Sequence, residues 1–208
     1  MPKVSKQHEQ ARRQQILDAA AACFARHGFA ATSIPDIAAA SQLSVGSLYR
    51  YFTSKEDLFL AVVADRVAVY NDAVFAELAR AGSPLRRVRA ALRRLQRLLT
   101  SQLPDDARLS LELWARAHEV ESLGAWLRDA RARRLQAFRQ VVEEGKLRGE
   151  IRREVRASDA AGLLMAVADG LVVQRSCSPF HPSMGEQLKE TERLLSSWHA
   201  DGRLQSER

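Results

Sequence analysis

Residues 32–55, TSIPDIAAASQLSVGSLYRYFTSK, decide the fold of the N-terminal region. Ser33 stands three residues before Asp36, with Pro35 in the turn between them. This spacing predicts a helix start with a capping box, in which the serine hydroxyl and the carboxylate each accept a hydrogen bond from the other residue's backbone N–H. Proline is favourable in the first turn, because its missing N–H would have no partner there. Ser44 predicts a second cap in front of another short helix. Two short helices joined by a tight turn are therefore expected here.

A longer helix is predicted in front of this stretch, over residues 10–27. Ile16 and Phe24 lie on its apolar face at helical spacing. We expect Gly28 to end it in a left-handed conformation and Phe29 to fold back onto the apolar face. Three helices in this order, the last two joined by a tight turn, match a helix-turn-helix unit.

The third helix, from 45 to 51 or 52, is predicted to have one buried and one open side. Leu48 and Phe52 lie four residues apart and form the buried side. The open side offers small or hydrogen-bonding residues to a major groove: Val45, Gly46, Ser47 and Arg50. Groups suited to phosphates surround it: Thr32, Ser33, Ser47, Tyr49, Tyr51 and Lys55. The alternative remains that Thr32 and Ser33 are caps only and the tyrosines simply pack, since trihelical units without DNA binding exist.

Three segments of this region resemble the DNA-binding domain of the TetR family. They are RQQILDAA (13–20), GFAATSIPDIA (28–38) and LSVGSLYRYF with SKEDL (43–58), and the resemblance covers about residues 11–63 without a gap. It implies a dimer on a near-palindromic operator. The phosphate contacts it implies are at Thr32, Ser33, Tyr49, Tyr51 and Lys55. The base contacts it implies are at Val45, Gly46, Ser47 and Arg50.

Three positions depart from the family pattern. Pro35 stands where an arginine is common, so a frequent DNA contact is missing. Gln42 stands where the turn usually has glycine, and we expect it to adopt a left-handed conformation at a modest cost in strain. Val45 replaces a residue that is commonly basic or small, which favours contact with a thymine methyl group. The operator sequence therefore cannot be inferred from the family.

The rest of the chain predicts further helices and no strands. A linking helix is expected over 55–80, followed by helices at roughly 85–102, 106–117, 121–147, 158–177 and 183–200. The fold class is all-α with about nine helices. We expect a helix-turn-helix DNA-binding domain over 1–54 and a larger ligand-binding and dimerisation domain over 55–208.

The charge balance suits a polyanionic partner. The 208-residue chain has a formal charge of +7 and a pI of about 10, and residues 1–55 hold seven basic and three acidic side chains. Two arginine-rich runs, 86–97 and 131–139, have the spacing of solvated helix faces.

Neither export nor a membrane partner is indicated. No run approaches the roughly 20 uncharged apolar residues of a membrane span, and the basic N-terminus is not followed by an apolar stretch. A cytoplasmic location is expected. Cys23 and Cys177 have neither disulfide-framework nor zinc-site spacing, and Cys23 is expected to be a buried, inert thiol.

No catalytic constellation is visible in residues 84–208. The five histidines lack paired metal-ligand spacing, and no nucleophile elbow, phosphate-binding loop or dinucleotide fingerprint is present. We therefore expect no enzymatic activity, no cofactor and no metal.

The resemblance implies a ligand pocket among the helices over 85–147 and dimerisation through the last two helices. The pocket candidates are mostly apolar: Leu95, Leu99, Leu113, Trp114, His118, Trp126, Phe138, Met165 and Asp169. The candidates for the dimer interface are small or apolar: Ala161, Gly162, Met165, Ala168, Leu188, Leu195 and Trp198. Ordinary packing within one chain is the alternative for both sets.

The C-terminal half is also loosely similar to choline-responsive TetR-type repressors, around 113–115 and 168–171. This similarity does not identify choline as the ligand. The function expected overall is a repressor released from its operator by a small molecule whose entry tilts the linking helix. The alternatives are an activator or ligand-free regulator of the same family, and a helical scaffold whose head no longer binds DNA.

Overall fold

The computed structural model describes residues 6–101, 104–176 and 184–200, and these residues form nine α-helices. They are α1 (Lys6–Ala31), α2 (Ile34–Ser41), α3 (Val45–Tyr49), α4 (Lys55–Leu78), α5 (Pro84–Ser101), α6 (Pro104–Arg116), α7 (Glu121–Leu147), α8 (Ala157–Ser176) and α9 (Met184–Ser196). The predicted all-α class is confirmed, and so is the number of helices within the described ranges.

The chain divides into two compact units. The first extends to Ala68 and also includes Asp105–Leu123, and the second includes Val69–Pro104 and the residues from Gly124 onward. Helix α4 therefore contributes its first part to one unit and the remainder to the other. The division differs from the boundary expected after residue 54, because nearly all of α6 groups with the N-terminal helices.

Gly28 breaks the helical path near the end of α1. Its backbone has φ 78° and ψ 166°, a conformation that glycine adopts without a Cβ penalty. The break turns Phe29 back, and the Phe29 ring stacks on Phe24 with the ring centroids 5.7 Å apart. Phe59 of α4 meets both rings edge-on, at 5.2 and 5.1 Å. Each such pair adds about 0.5–1.5 kcal/mol beyond area burial, and the predicted fold-back of Phe29 is confirmed.

Gln42 ends α2 in the left-handed conformation, as predicted. It has φ 56° and ψ 34°, and its N–H donates to the carbonyl oxygens of Ala38 and Ala39. The N–H of Leu43 also bonds to Ala38 O, at 3.0 Å. Within the described residues Gln42 is the only non-glycine residue with positive φ. The tight turn thus satisfies the last carbonyls of α2 but places a side chain where glycine is preferred.

The core of the second unit lies among α4, α5, α7, α8 and α9. Helix α5 packs against both α8 and α9. The buried residues of this core include Val88, Leu92, Leu99, Phe138 and Leu164.

The arginine run 86–97 on α5 is not simply a solvated face, which corrects the expectation. Arg87 is only 8% exposed and forms an ion pair with Glu144 of α7. Arg93 forms a two-point contact with Glu192 of α9, at 2.5 and 2.6 Å. Arg87 and Arg93 therefore join α5 to α7 and α9, while Arg86, Arg94 and Arg97 are exposed, as a solvated face predicts.

The second run, 131–139, divides in the same way. Arg133 is exposed and pairs with Asp129 one turn earlier on α7, as a solvated face predicts. The side chain of Arg134 is only 17% exposed. Neighbouring residues of one run therefore have opposite environments, set by the side of the helix on which they lie.

The segment after α7 is fixed by close packing against the helix. Ile151 is 2% exposed and forms an isolated antiparallel bridge with His199. A Cβ added at Gly145 would lie 2.5 Å from Ile151 Cδ1 and 2.8 Å from its Cγ1. Glycine is therefore required at this point of α7, because real Cβ atoms do not approach that closely.

Helix α8 is long and apolar enough over Ala157–Arg175 to pass a length-and-composition test for a membrane span. One such helix is weak evidence, since core helices pass the same test. Ala161 and Leu164 are fully buried in the protein core, and the helix also carries Asp159 and Asp169. Its apolar character is accounted for by the core of the second unit.

The strain at Gln42 predicts that Gln42→Gly stabilises the protein. The free energy of unfolding should rise by up to about 1 kcal/mol, because glycine removes the left-handed penalty while losing more backbone entropy on folding. Urea denaturation measures the change. Gln140→Gly is the control, because it makes the same substitution at an exposed position inside α7 and should cost about 1 kcal/mol. Destabilisation by both variants would contradict the strain argument.

The packing at Gly145 predicts that Gly145→Ala destabilises the protein by about 1–3 kcal/mol, because the new methyl group overlaps a buried isoleucine. Ile151→Val removes the nearer of the two overlapping atoms at a cost of its own of about 0.5–1.5 kcal/mol. The double variant should therefore be more stable than the sum of the single changes predicts. Strict additivity in thermal and urea unfolding would show that the two sites do not collide.

Candidate nucleic-acid interface

Helix α3 is anchored on one side and open on the other. Leu48 is 1% exposed and Phe52 4% exposed, so the predicted buried side is confirmed. On the opposite side Val45 is 37% and Tyr49 54% exposed. The exposed set on this side is Val45, Gly46, Tyr49 and Arg50. The helix ends at Tyr49, slightly earlier than predicted.

Helix α2 begins with the predicted capping box. The N–H of Asp36 donates to Ser33 Oγ at 3.3 Å, and the N–H of Ser33 donates to Asp36 Oδ2 at 2.9 Å. The Ser33 hydroxyl also donates to the same carboxylate, at 2.5 Å. These hydrogen bonds lower the pKa of Asp36. The proton of the Ser33 hydroxyl is thus engaged inside the chain, although the residue is exposed.

Helix α3 begins with Ser44 as its cap. The N–H of Ser47 donates to Ser44 Oγ at 3.2 Å, and the two hydroxyls lie 2.8 Å apart. Ser47 is half-buried, and its contact with the Ser44 hydroxyl orients its own hydroxyl group. The start of the recognition helix is fixed by local hydrogen bonds, which positions its first residues.

Thr32 has an internal role that corrects its assignment as a phosphate contact. It is 2% exposed, and its hydroxyl lies 2.7 Å from Gly28 O and 3.2 Å from Cys23 O. A hydroxyl has one proton, and here carbonyl groups take it. Its side chain secures the connection between α1 and α2 and is covered from outside.

Lys55 is likewise turned inward. Its Nζ donates to Phe29 O and Thr32 O, both at 3.0 Å, and lies 4.3 Å from the centre of the Phe29 ring. The side chain is half-buried. The ammonium group therefore fastens the α1–α2 connection to the start of α4, and the phosphate role expected for Lys55 stays a prediction.

Phe29 is contacted by a second cation that the sequence analysis missed. Arg116 Cζ lies 4.0 Å from the centre of the Phe29 ring, and Arg116 Nε donates to Glu112 Oε1 at 2.8 Å. A cation over an aromatic face contributes about 0.5–2 kcal/mol. Arg116 lies on α6, far from Phe29 in sequence, and no local pattern marks it as a partner.

Gly46 is not required by the packing of the chain itself. A Cβ built at this position meets nothing within 4 Å, and its φ is not positive. The open position at Gly46 leaves room for another molecule to approach the backbone of α3.

Tyr51 is half-buried. Beside it in sequence, the Phe52 ring has the guanidinium of Arg13 at 5.4 Å from its centre.

The predicted pocket residues fall in both units. Leu113, Trp114 and His118 belong to the first unit, where they are buried, half-buried and exposed respectively. The remaining candidates belong to the second unit: Leu95, Leu99, Trp126, Phe138, Met165 and Asp169. Four of these are core residues: Leu95, Leu99, Phe138 and Met165. Trp126 and Asp169 are half-buried.

Most of the predicted dimer residues are already covered by their own chain, so that assignment must be corrected. Five are buried in the core of the second unit: Ala161, Met165, Ala168, Leu188 and Leu195. Trp198 is half-buried against the same core. Of the set, Gly162 is exposed. Apolar spacing thus selected the side of these helices that faces the chain's own core.

The described part of the chain also shows where metal-ligating and thiol side chains lie. No group of three or more histidine, cysteine, aspartate or glutamate side chains there is arranged to hold a metal ion. Cys23 is half-buried, and burial raises the pKa of its thiol, which disfavours the reactive thiolate. Cys177 lies outside the described residues.

Two family matches cover most of the chain. Residues 16–62 match the bacterial regulatory proteins of the tetR family, and residues 84–198 match the C-terminal domain of BetI-type transcriptional repressors. The HTH-type transcriptional repressor Rv1474c of Mycobacterium tuberculosis is 40% identical over 65 residues, which are 31% of this chain and 35% of that protein. The alignment thus spans about a third of that relative.

Solved structures share the fold over nearly the whole chain. A transcriptional regulator from Saccharomonospora viridis in complex with choline has a TM-score of 0.74 and 25% identity, covering 91% of this chain and 95% of that one. The regulator FadR from Bacillus subtilis in complex with stearoyl-CoA has a TM-score of 0.76 and 19% identity, covering 91% and 98%. The latter likeness is one of fold. Because the family matches take in both the helix-turn-helix and the larger C-terminal part, the chain belongs to the TetR family of bacterial transcriptional regulators.

Proposed function

We propose that this protein is a cytoplasmic transcriptional repressor that binds a near-palindromic operator as a homodimer and is released by a small-molecule effector. The open side of α3 carries the proposal. It presents Val45, Tyr49 and Arg50 to solvent while Leu48 holds the helix in the core. A recognition helix needs this combination, because it must enter a major groove without losing its attachment.

Two kinds of DNA contact follow from the exposed residues. Val45, Gly46, Ser47 and Arg50 lie on or beside the open side of α3 and face the bases, with Arg50 as hydrogen-bond donor and Val45 as apolar contact. Tyr49 and Tyr51 offer phenol groups to phosphates, and Ser33, which is exposed at the start of α2, lies beside them in the expected phosphate set. Phosphate contacts set the position of the protein on DNA, and base contacts set its sequence preference.

Dimerisation is proposed through the outward side of α8 and α9 rather than through the residues first expected. Leu163 is 49% and Leu194 63% exposed, so each of these helices presents a large apolar side chain to solvent. A Cβ at Gly162 or Gly170 meets nothing within 4 Å, so neither glycine is required by the chain's own packing. The exposed leucines on both helices and the exposed Gly162 on α8 support close approach of a second copy.

Release by an effector is proposed to act through α4. This helix belongs to both units, so a ligand that prefers one orientation of α4 is coupled to the orientation of α3. Half-sites on DNA lie about 34–36 Å apart or a multiple of this, so a shift of a few ångströms between two recognition helices prevents simultaneous binding. The likeness to regulators in complex with choline and with stearoyl-CoA supports an effector without identifying it.

The DNA-binding proposal is tested by fluorescence anisotropy against DNA upstream of the protein's own gene, with random DNA as competitor. Tyr49→Phe should weaken binding to both DNAs equally, because a phosphate contact carries no sequence information. Arg50→Ala and Ser47→Ala should reduce the preference for the specific site, by about tenfold or more for a good base contact. Binding no tighter than to random DNA would favour the scaffold alternative, and equal effects of all three variants would overturn the assignment of roles.

Gly46 separates a DNA role from a folding role. Gly46→Leu should leave the free energy of unfolding unchanged or raised by up to about 1 kcal/mol, because the side chain meets empty space and glycine is a poor helix former. Operator binding should nevertheless be lost, since the groove then meets a bulky group. Urea denaturation and anisotropy on the same sample measure the two effects. Full operator affinity in this variant would show that α3 does not approach DNA at Gly46.

The dimer proposal predicts that Leu163→Glu and Leu194→Glu convert the protein to a monomer. Each places a charge on the surface proposed to meet the second copy, where desolvation makes it costly. Sedimentation equilibrium measures the mass. Val69→Glu on α4 is the control, because Val69 is 43% exposed and lies outside α8 and α9. An unchanged mass for both leucine variants would place the interface elsewhere.

A further inference from the structure

Two arginines of α7 converge on one carboxylate of α8 in the second unit. Arg131 Nη1 donates to Asp169 Oδ2 at 2.5 Å, and Arg134 Nη1 lies 3.5 Å from Asp169 Oδ1. The Asp169 side chain is 13% exposed and both of its oxygens face a guanidinium group. The cluster therefore holds two positive charges against one negative charge.

Arg134 is poorly compensated for a buried cation. Its side chain is 17% exposed, and its contact with Asp169 is long for a hydrogen bond. Its Nε is buried and has no hydrogen-bond partner among the described residues. Burial lowers the pKa of Arg134, the nearby Arg131 acts in the same direction, and Asp169 opposes them. A buried donor without a partner requires an explanation, and a missing anion is one.

The cluster lies at the edge of the core of the second unit. Arg134 lies one turn before Phe138, and Asp169 lies one turn after Met165; both of these apolar residues are in the core of the second unit. Arg131 is 48% exposed, so the cluster reaches from the edge of the core to solvent.

Arg133, on the same helix, is a fully paired surface arginine and serves as a comparison. Arg133 is exposed and pairs with Asp129 on its own side of α7, with one carboxylate for one cation. Arg131 and Arg134 differ from Arg133 in sharing a single carboxylate.

We propose that Arg131 and Arg134 bind an anionic group of the effector, a carboxylate or a phosphate, beside Asp169. Guanidinium groups bind both kinds of oxyanion through paired hydrogen bonds. A cationic effector is disfavoured at this point, because Asp169 is already shared by two arginines and a third cation would meet repulsion. The inference rests on the proposed function and deepens it by naming the chemical class of the effector.

The test measures binding of simple anions to the full-length protein without DNA. Isothermal titration calorimetry and thermal shift are run with inorganic phosphate, butyrate and choline at constant ionic strength. We expect saturable binding of phosphate or butyrate and none of choline at this site. Phosphate alone indicates a phosphorylated effector and butyrate alone a carboxylic acid, and either result supports the proposal.

Variants then locate the anion. Arg134→Gln should weaken binding about tenfold or more and Arg131→Gln by less, because each removes a charge-assisted hydrogen bond. Asp169→Asn should tighten it several-fold, because it removes the repelling carboxylate. Arg133→Gln makes the same charge change one residue away and should leave affinity within about twofold. If Arg134→Gln does not fold, Arg131→Gln and Asp169→Asn still decide the question.

The outcomes that overturn the proposal are equally defined. They are the absence of saturable anion binding, equal loss in the Arg133 and Arg134 variants, or choline binding that Asp169→Asn abolishes. Operator affinity is measured separately on the same proteins. Anion binding in a protein that fails to bind DNA would leave this site in place and reject the repressor function, so the two failures are distinguishable.

Discussion

The burial of Phe29 is the constraint on which the helix-turn-helix depends. Its ring packs between Phe24 and Phe59, and cations of α4 and α6 approach it through Lys55 and Arg116. Together these contacts are worth a few kcal/mol, about the size of half the stability margin of a small domain. They connect the end of α1 to α4 and α6 around one side chain. Helix α3 is attached separately, through the buried Leu48 and Phe52 and its packing against α2.

Local features of the helix-turn-helix could be predicted from sequence because their causes lie within a few residues. The capping box of Ser33 and Asp36 and the break at Gly28 follow from the conformational preferences of single residues. The left-handed Gln42 was predicted from the family resemblance, because the turn usually has glycine at this position. The buried side of α3 follows from helical periodicity, which placed Leu48 correctly. For these elements the structure added distances rather than new relations.

The roles of several side chains could not be predicted, because they depend on contacts distant in sequence. Nothing near Lys55 in the sequence shows that its ammonium group bonds the carbonyl of Phe29. Likewise, periodicity identifies an apolar side of α8 but cannot say whether the chain's own core or a second copy covers it. Ala161 and Leu163 are two residues apart on the same helix, one buried and one half exposed. In the same way, a run of arginines in the sequence does not show which of them are buried. Arg133 and Arg134 are adjacent and differ in burial and pairing.

The open space around Gly46 has an evolutionary consequence. Leu48 and Phe52 on the other side of α3 hold the helix in the fold. Mutations at Gly46, Val45 or Arg50 should therefore change the small free energy of unfolding very little. Gene duplicates can therefore diverge in the DNA sequences they prefer without compensating changes in the core. In this architecture the residues that stabilise the fold and the residues that set DNA preference can change almost independently in evolution.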